Sequence, residues 1–233
     1  NLYLHGNSQA RAGIIIKGDS SVTYSLIENL YINAVQYGVE VDGYNDAVYW
    51  NTIRKIVVRS ATKKGMWIHK TGSGDTPNAN LFQDIAINHT ANDMTEEGIY
   101  IEAASHRNRF EFLNINPGTN STVCLRLGAN ATFNVFDHIY TETIGVVDNI
   151  ILDAGANYNR LWNLYMMSAG NALIDNGIGN EYSSTSAGGS TITFRGFDLP
   201  DLMSLRVGLA TVPTGVTTTV LDLAGTAGTT TSG

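Results

Sequence analysis

The sequence predicts an all-β fold, a parallel β-helix solenoid of about seven rungs, where one rung is one full turn of the coil. Three observations support this prediction: a glycine-led triplet recurs along the chain, an asparagine-led motif recurs between its copies, and both have the apolar spacing of strands. The parallel β-helix is expected to span residues 1–180. Residues 181–233 are expected to add a last rung, a cap and a Thr/Gly-rich segment for subunit contacts, because a solenoid needs capped ends.

The first motif is a glycine or other small residue, then an apolar–x–apolar triplet and a polar residue. It is clearest in GVEVDG from Gly38, GMWIHK from Gly65 and GIYIEA from Gly98. Apolar residues at every second position indicate a strand, so each copy predicts one short strand with two inward side chains. The seven copies begin at residues 13, 38, 65, 98, 124, 149 and 171, which are 22 to 33 residues apart.

The second motif is Asn–x–apolar–x–x–apolar–x–apolar, as in NTIRKIVV, NLFQDIAI and NRFEFLNI. Its period also indicates strands. The asparagines are expected to stack at a corner, because side-chain amides can bond from one rung to the next and Asn tolerates a left-handed backbone. The copies, 25 to 29 residues apart, begin at Ser25, Asn51, Asn80, Asn108, Asn134 and Asn159.

Two interleaved motifs that share one period predict three inward ladders of apolar residues. The ladders are Ile14, Val39, Met66, Ile99, Leu125 and Ile150; then Ile16, Val41, Ile68, Ile101, Leu127 and Leu152; then Ile27, Ile53, Phe82, Phe110, Phe136 and Leu161.

These motifs resemble those of the right-handed parallel β-helix of the pectin-lyase superfamily, in the variety found in phage tailspikes and appendages. The resemblance covers about three quarters of the chain. It implies a right-handed coil, a polysaccharide partner, an extracellular or virion-surface location, and a homo-oligomer, with a trimer as one option. The short catalytic signatures of pectate lyases and polygalacturonases are not found in this sequence, so the resemblance assigns no catalytic residue.

Composition excludes several classes of function. The net charge of −7 argues against nucleic acid as the main partner, because phosphate binding needs a basic surface. No apolar run is long enough to insert into a membrane. The single cysteine, Cys124, allows no internal disulfide, and no His/Cys spacing indicates a metal site or cofactor.

The outward residues of neighbouring rungs predict one patch of acidic, aromatic and basic side chains, which suits sugar recognition. Asp42, Glu102 and His69 are the candidate catalytic residues. Asp42 and Glu102 are two rungs apart, roughly 9–10 Å, which is near the carboxylate separation of inverting glycosidases. The candidate substrate-binding residues are Glu40, Trp67, Tyr100 and Arg126.

The patch also has a simpler interpretation, since outward residues of a solenoid are polar or aromatic in any case. Asp153 and Asp175 are expected to lie one rung apart in the outward column that contains Asp42, near the carboxylate separation of retaining glycosidases, and Leu173 is expected to end the outward column that contains Trp67. A second outward face carries Tyr140, Tyr165, Met167 and the nearby Trp162, which suggests a subunit contact.

Three hypotheses for function follow. The first is a tailspike-like domain that binds a host surface polysaccharide and, in one version, hydrolyses it. The second is a polysaccharide-degrading enzyme outside any virus, with a glycoside hydrolase favoured over a lyase. The third is a non-catalytic β-helix that serves as a spacer or adhesin shaft. The sequence leaves open whether any bond is cut.

Overall fold

The computed structural model of the chain is an all-β solenoid of about six turns, which confirms the predicted fold class. Side chains are described for residues 2–89, 94–102, 104–142, 148–167 and 173–183, and beyond these only the backbone of short strands is described. Within that part of the chain, no helix is long and apolar enough to cross a membrane.

Long and short strands alternate along the chain and form two sheets. The long-strand sheet consists of β1 (Leu2–His5), β4 (Leu26–Asn33), β7 (Thr52–Arg59), β9 (Leu81–Asn88), β11 (Arg109–Asn116), β13 (Val135–Glu142), β15 (Arg160–Met167), β17 (Glu181–Ser183) and β18 (Ser186–Gly188). The short-strand sheet consists of β2 (Ala12–Lys17), β5 (Tyr37–Asp42), β8 (Lys64–His69), β10 (Glu97–Ile101), β12 (Val123–Leu127), β14 (Asp148–Leu152), β16 (Leu173–Asp175) and β19 (Ile192–Phe194). A small corner sheet consists of β3 (Val22–Thr23) and β6 (Val48–Tyr49).

In the long-strand and short-strand sheets, neighbouring strands from successive rungs pair in parallel, as a coil requires. In the short-strand sheet, Val39 pairs with Met66, Met66 with Ile99 and Ile99 with Leu125. The repeat period therefore gave the correct register for most rungs. Beyond residue 183, β18 pairs with β15 and β19 pairs with β16, each in parallel.

The core lies between the two sheets and is built from the predicted ladders. Phe82, Phe110 and Phe136 are fully buried and stack with ring centroids 4.8 and 4.6 Å apart. Among the residues of the three predicted ladders, all are buried except Ile14 and Ile27 at the N-terminal end, which are half-buried. Ring stacking in register is what a solenoid allows, because each rung places the same side chain above the previous one.

The long strands contain a bend that the predicted period of two does not include. Lys55, in the middle of β7, has a φ of 54°, and its equivalents in the other long strands are also left-handed. The left-handed residue resets the alternation, so both Ile53 and Ile56 point inward although they are three positions apart. The bent positions are Asn29, Lys55, Asp84, Phe112, His138 and Asn163.

The asparagine ladder is present and buried. The Oδ1 of Asn80 accepts the backbone N–H of Asn51 at 3.1 Å, and the Oδ1 of Asn108 accepts that of Asn80 at 3.0 Å. The ladder continues through Asn134 and Asn159 and ends on Asn180, which the sequence analysis did not include. The expectation of left-handed asparagines was wrong, because the left-handed residue is the one before each asparagine.

The leading glycine of the triplet motif is required by the close approach of the two sheets. A Cβ on Gly65 would lie 2.2 Å from the Cγ2 of Ile87 and 2.7 Å from the carbonyl oxygen of Gly98. Gly38 faces the Cγ1 of Val58 at 2.4 Å in the same way. Any larger residue at these positions would push the sheets apart.

The last short strand of the predicted column has the opposite orientation to that expected. In β16, Leu173 pairs with Ile150 and Asp175 with Leu152, so both side chains point into the core and are buried. A shift of one residue exchanges the two faces of a strand, and the copy at residue 171 is shifted in this way. Asp175 is therefore separated from the outward Asp153, and the expected pair of carboxylates does not form.

The predicted C-terminal segment lies mostly outside the described residues. Its described part is an antiparallel hairpin of β20 (Thr217–Leu221) and β21 (Ala227–Thr231). The expected cap at residues 198–210 lies outside the described residues.

Candidate functional site

The charged face is the outward surface of β5, β8, β10 and β12, where the sequence placed all seven candidate residues. Glu40 pairs in register with Trp67, Trp67 with Tyr100, and Tyr100 with Arg126. Asp42 pairs with His69. Glu102 directly follows β10. The structure therefore brings the predicted residues together on neighbouring rungs.

The charged face is more closed than the sequence suggested. Glu40 and His69 are each 1% exposed and Asp42 is 4% exposed, although they lie on the outer side of the sheet. Trp67, Tyr100, Glu102 and Arg126 are half-buried. The repeat period predicts which side of the sheet a residue faces but not what covers that side, so the burial of Glu40, Asp42 and His69 could not be read from the sequence.

Glu40 is held by two cationic or polar partners. Arg11 donates to both carboxylate oxygens, from Nε at 3.0 Å and from Nη2 at 2.5 Å, and His69 Nε2 donates to Oε1 at 3.0 Å. Burial raises the pKa of Glu40, but the hydrogen bonds from His69 and Arg11 and the nearby guanidinium charge outweigh it, so the pKa falls to about 2. Glu40 is therefore ionised at neutral pH.

Trp67 connects the buried cluster to Glu102. Its ring stacks on the ring of His69 with centroids 3.5 Å apart, and its Nε1–H donates to Glu102 at 3.0 Å. On the other side of His69, Nδ1 is buried and has no hydrogen-bond partner among the described residues. The Trp67 ring thus has one face occupied and its polar edge satisfied.

The remaining charges of this face also pair with one another. Lys64 binds Glu96 and Glu97, and Arg126 binds Asp153 through Nε at 3.0 Å. Together with the Glu40 cluster they form a network of mutual ion pairs across successive rungs. Such pairs stabilise the stacking of rungs, and they leave few unpaired groups for a ligand.

The two candidate catalytic carboxylates are engaged as well. Asp42 accepts the backbone N–H of Thr71 at 2.9 Å and its hydroxyl at 2.6 Å, and Glu102 accepts from Trp67. Glu40, Asp42 and His69 place three potential ligand atoms within 4.8 Å of one another. Because Arg11 and Thr71 already occupy the two carboxylates, we assign no metal to this group.

A second site, which the sequence analysis missed, lies on the corner formed by the residues that precede the asparagine ladder. We call it the aromatic corner; its members are Tyr24, Trp50, Phe133 and Tyr158. All four have positive φ and are at least half exposed, from 50% for Tyr158 to 76% for Tyr24. The signal was present in the sequence as an aromatic residue directly before the ladder residue in four copies.

The rings of the aromatic corner form two pairs on neighbouring rungs. Tyr24 and Trp50 have ring centroids 5.2 Å apart, and Phe133 and Tyr158 stack at 5.3 Å. Each pair lines a shallow groove. The first groove also contains Leu26, Thr52 and Arg54; the second also contains Val135, Arg160 and Glu181.

Polar groups accompany both ring pairs. Arg54 in the first groove is bound by Glu28 at 2.7 Å, and Arg160 in the second groove is bound by Glu181 at 3.1 Å. Exposed rings beside fixed hydrogen-bonding groups can take a ligand that has both apolar faces and hydroxyl groups.

Comparison with known proteins identifies no family: no family model matches the chain, and no curated protein or solved structure matches it with significance. What is established is the parallel β-helix itself.

Proposed function

We propose that the protein is a polysaccharide-binding β-helix domain that presents its aromatic corner to a cell-surface polysaccharide. The observation that carries the proposal is the pair of exposed aromatic grooves at equivalent places on the coil. The extracellular or virion-surface setting, like that of tailspikes and appendages, is supported by the resemblance of the repeat motifs alone.

Backbone conformation strengthens this interpretation of the corner. The fold needs a left-handed residue before each ladder residue, and glycine is the least costly choice there. Gly179 and Ala79 occupy this position in two rungs, which shows that no ring is needed to build the corner. Four exposed aromatic side chains at strained positions therefore favour a role in binding.

Cleavage of the polysaccharide by Asp42, Glu102 and His69 stays a prediction from the sequence. A general acid must reach the glycosidic oxygen, and the burial of Asp42 and His69 favours binding over hydrolysis. Release of new reducing ends by the wild-type protein, abolished in Glu102→Gln, would support hydrolysis at this face.

The second candidate function is that of a rigid spacer. It is favoured by the ion-pair network on the charged face and by ring stacking between rungs, which is worth about 0.5–1.5 kcal/mol per pair beyond area burial. A spacer needs no polysaccharide affinity.

A binding assay separates the two candidates. Isothermal titration with a panel of bacterial capsular polysaccharides should give binding that falls about tenfold or more in Trp50→Ala, because exposed aromatic anchors dominate such sites. The substitution reproduces the residue found at Ala79, so the backbone tolerates it. The matched control is Phe112→Ala, another exposed left-handed aromatic residue on a different face. Equal losses of affinity in both variants, or no binding by the wild-type protein, would leave the rigid spacer as the remaining candidate function.

A further inference from the structure

The two aromatic grooves lie on one line along the solenoid axis. Trp50 and Phe133 occupy the same position three rungs apart, which corresponds to roughly 14 Å. The intervening rungs carry Ala79 and Arg107 at that position. The corner therefore presents two rings, a methyl group, a guanidinium group and two more rings in sequence.

Arg107 differs from the other arginines of this corner. Arg54, Arg109 and Arg160 are each paired with a glutamate. Arg107 is exposed and forms no ion pair with any of the described residues. Its guanidinium carbon lies 6.0 Å from the centre of the Phe133 ring.

We infer that the aromatic corner is one extended site for an anionic polysaccharide, in which sugars stack on both ring pairs and Arg107 binds an acidic group of the chain between them. This site rests on the proposed function and adds that the ligand is anionic, is long enough to span both ring pairs, and runs along the solenoid axis. A guanidinium group binds carboxylate, sulfate or phosphate through two parallel hydrogen bonds, so Arg107 would select the acidic chain.

The electrostatics of the corner favour a sparsely charged chain over nucleic acid. Single-stranded nucleic acid also stacks on aromatic side chains, but it carries a phosphate on every unit and needs a basic groove. Here three of the four arginines are neutralised by glutamates, in a protein of net charge −7. One available cation between two ring pairs matches a polysaccharide with acidic groups at intervals.

A chain that reaches both grooves should bind more tightly than a chain that reaches one. Once one groove is filled, the second contact is intramolecular and benefits from a high effective concentration. Affinity should therefore rise with chain length until the ligand spans both ring pairs, and loss of either pair should remove that gain.

The experiment uses the full chain, with hyaluronate, which carries one carboxylate for every two sugars, in short and long fractions and the same fractions with their carboxyl groups reduced to alcohols. Titration should show long acidic chains binding about tenfold or more tightly than both the short ones and the reduced ones. Arg107→Gln should lower the affinity for long acidic chains to that of the reduced chains and abolish the salt dependence. The control is Lys55→Gln, which removes an exposed cation with the same left-handed backbone. It should change neither the affinity for long acidic chains nor its salt dependence.

The outcomes separate this inference from the proposed function. Equal binding of acidic and reduced chains, with Trp50→Ala still harmful, would overturn the inference and keep polysaccharide binding. No affinity for any of these chains would overturn the inference, and silence across the capsular panel would overturn the proposed function. Tighter binding of single-stranded poly-dT than of hyaluronate would replace the polysaccharide with nucleic acid.

Discussion

The side chain of Asn108 satisfies two donors of Asn80, one rung away. The Oδ1 of Asn108 accepts two hydrogen bonds from Asn80, one from the backbone N–H at 3.0 Å and one from the side-chain Nδ2–H at 3.1 Å. The Nδ2 of Asn108 donates to the carbonyl oxygen of Pro77 at 3.1 Å. Asn108 is fully buried, so water cannot replace these bonds. Each rung is thereby tied to the next at the corner that also carries the exposed rings.

Substitution of Asn108 by alanine should destabilise the protein by about 2–5 kcal/mol, because it leaves several buried polar groups unpaired at about 1–3 kcal/mol each. Urea unfolding measures the change in free energy. Asn114→Ala is the matched control, since Asn114 lies in β11, which begins directly after Asn108, but is exposed, and it should cost less than about 0.5 kcal/mol. A loss in Asn108→Ala as small as that of the control would contradict a structural role for the ladder.

Glu40 should make the protein less stable in acid. Because its pKa in the folded state is about 2, below the ordinary value of 4.5, its contribution is complete above about pH 4.5 and is lost as the pH falls toward 2. The contribution at stake is on the order of 3 kcal/mol. The stability difference between wild type and Glu40→Gln, measured by urea unfolding, should shrink as the pH falls through this range.

The control for Glu40 is Glu181→Gln, which removes a more exposed ion pair with Arg160. Exposed pairs contribute about 0–1 kcal/mol, so this difference should stay small at every pH. A Glu40→Gln difference that does not change between pH 5 and pH 3 would show that Arg11 and His69 do not hold the ionised carboxylate as described.

Asp175 should have the opposite effect on the pH dependence. Burial raises the pKa of Asp175 to about 6, although hydrogen bonds from Tyr182, Gly177 and Asn180 act in the opposite direction. At a pH between 3.8, the ordinary pKa of the group, and 6, the folded protein therefore holds a proton that the unfolded chain has released. Stability from this group is complete below about pH 3.8 and is lost as the pH rises through 6, by roughly 3 kcal/mol. Wild type should lose stability relative to Asp175→Asn between pH 4 and pH 7, and parallel profiles of the two proteins would contradict the prediction.

Oligomerisation through the long-strand sheet is a further prediction. Tyr140 and Tyr165 stack with centroids 5.4 Å apart, and the neighbouring Met167 and Tyr165 are exposed. We expect a homo-oligomer, with a trimer as the specific expectation, in sedimentation of the wild-type protein. Tyr165→Arg should give monomers, because a charge at the centre of an interface is costly to desolvate. Asn114→Arg, in the same outward column, is the control and should leave assembly unchanged; a monomeric wild type would refute the contact.

The sequence was sufficient to predict the fold because every rung of the solenoid repeats the same pattern of inward apolar residues. Residues such as Val39, Met66 and Ile99 recur at one period, and each copy supports the assignment of the others. The bend at Lys55 and its equivalents was missed because left-handed backbone at Lys, Phe and His has no compositional signature, although the asparagine motif itself places two residues rather than one between its first two apolar positions. The reversed orientation of Asp175 was missed because a single residue of drift in the last copy exchanges the two faces.

The candidate site was predictable in position but not in environment. Register placed Glu40, His69 and Trp67 side by side, as expected. Their burial depends on Arg11, which lies in β2's flank rather than in either motif, and on the packing of Trp67 over His69. The aromatic corner was missed because only motif positions were aligned, and Trp50 and Tyr158 directly precede them.

The most direct test of the central claim compares two of the three tryptophans in one titration. Trp50 lies in the aromatic corner, whereas the indole N–H of Trp67 on the charged face donates to Glu102. Their indole N–H signals can be followed by nitrogen–proton NMR while a bound polysaccharide from the capsular panel is added, with Trp50→Ala used to assign the first. We expect the Trp50 signal to shift with saturation and the Trp67 signal to stay in place; a shift of Trp67 with Trp50 unmoved would place the ligand on the charged face and contradict the account.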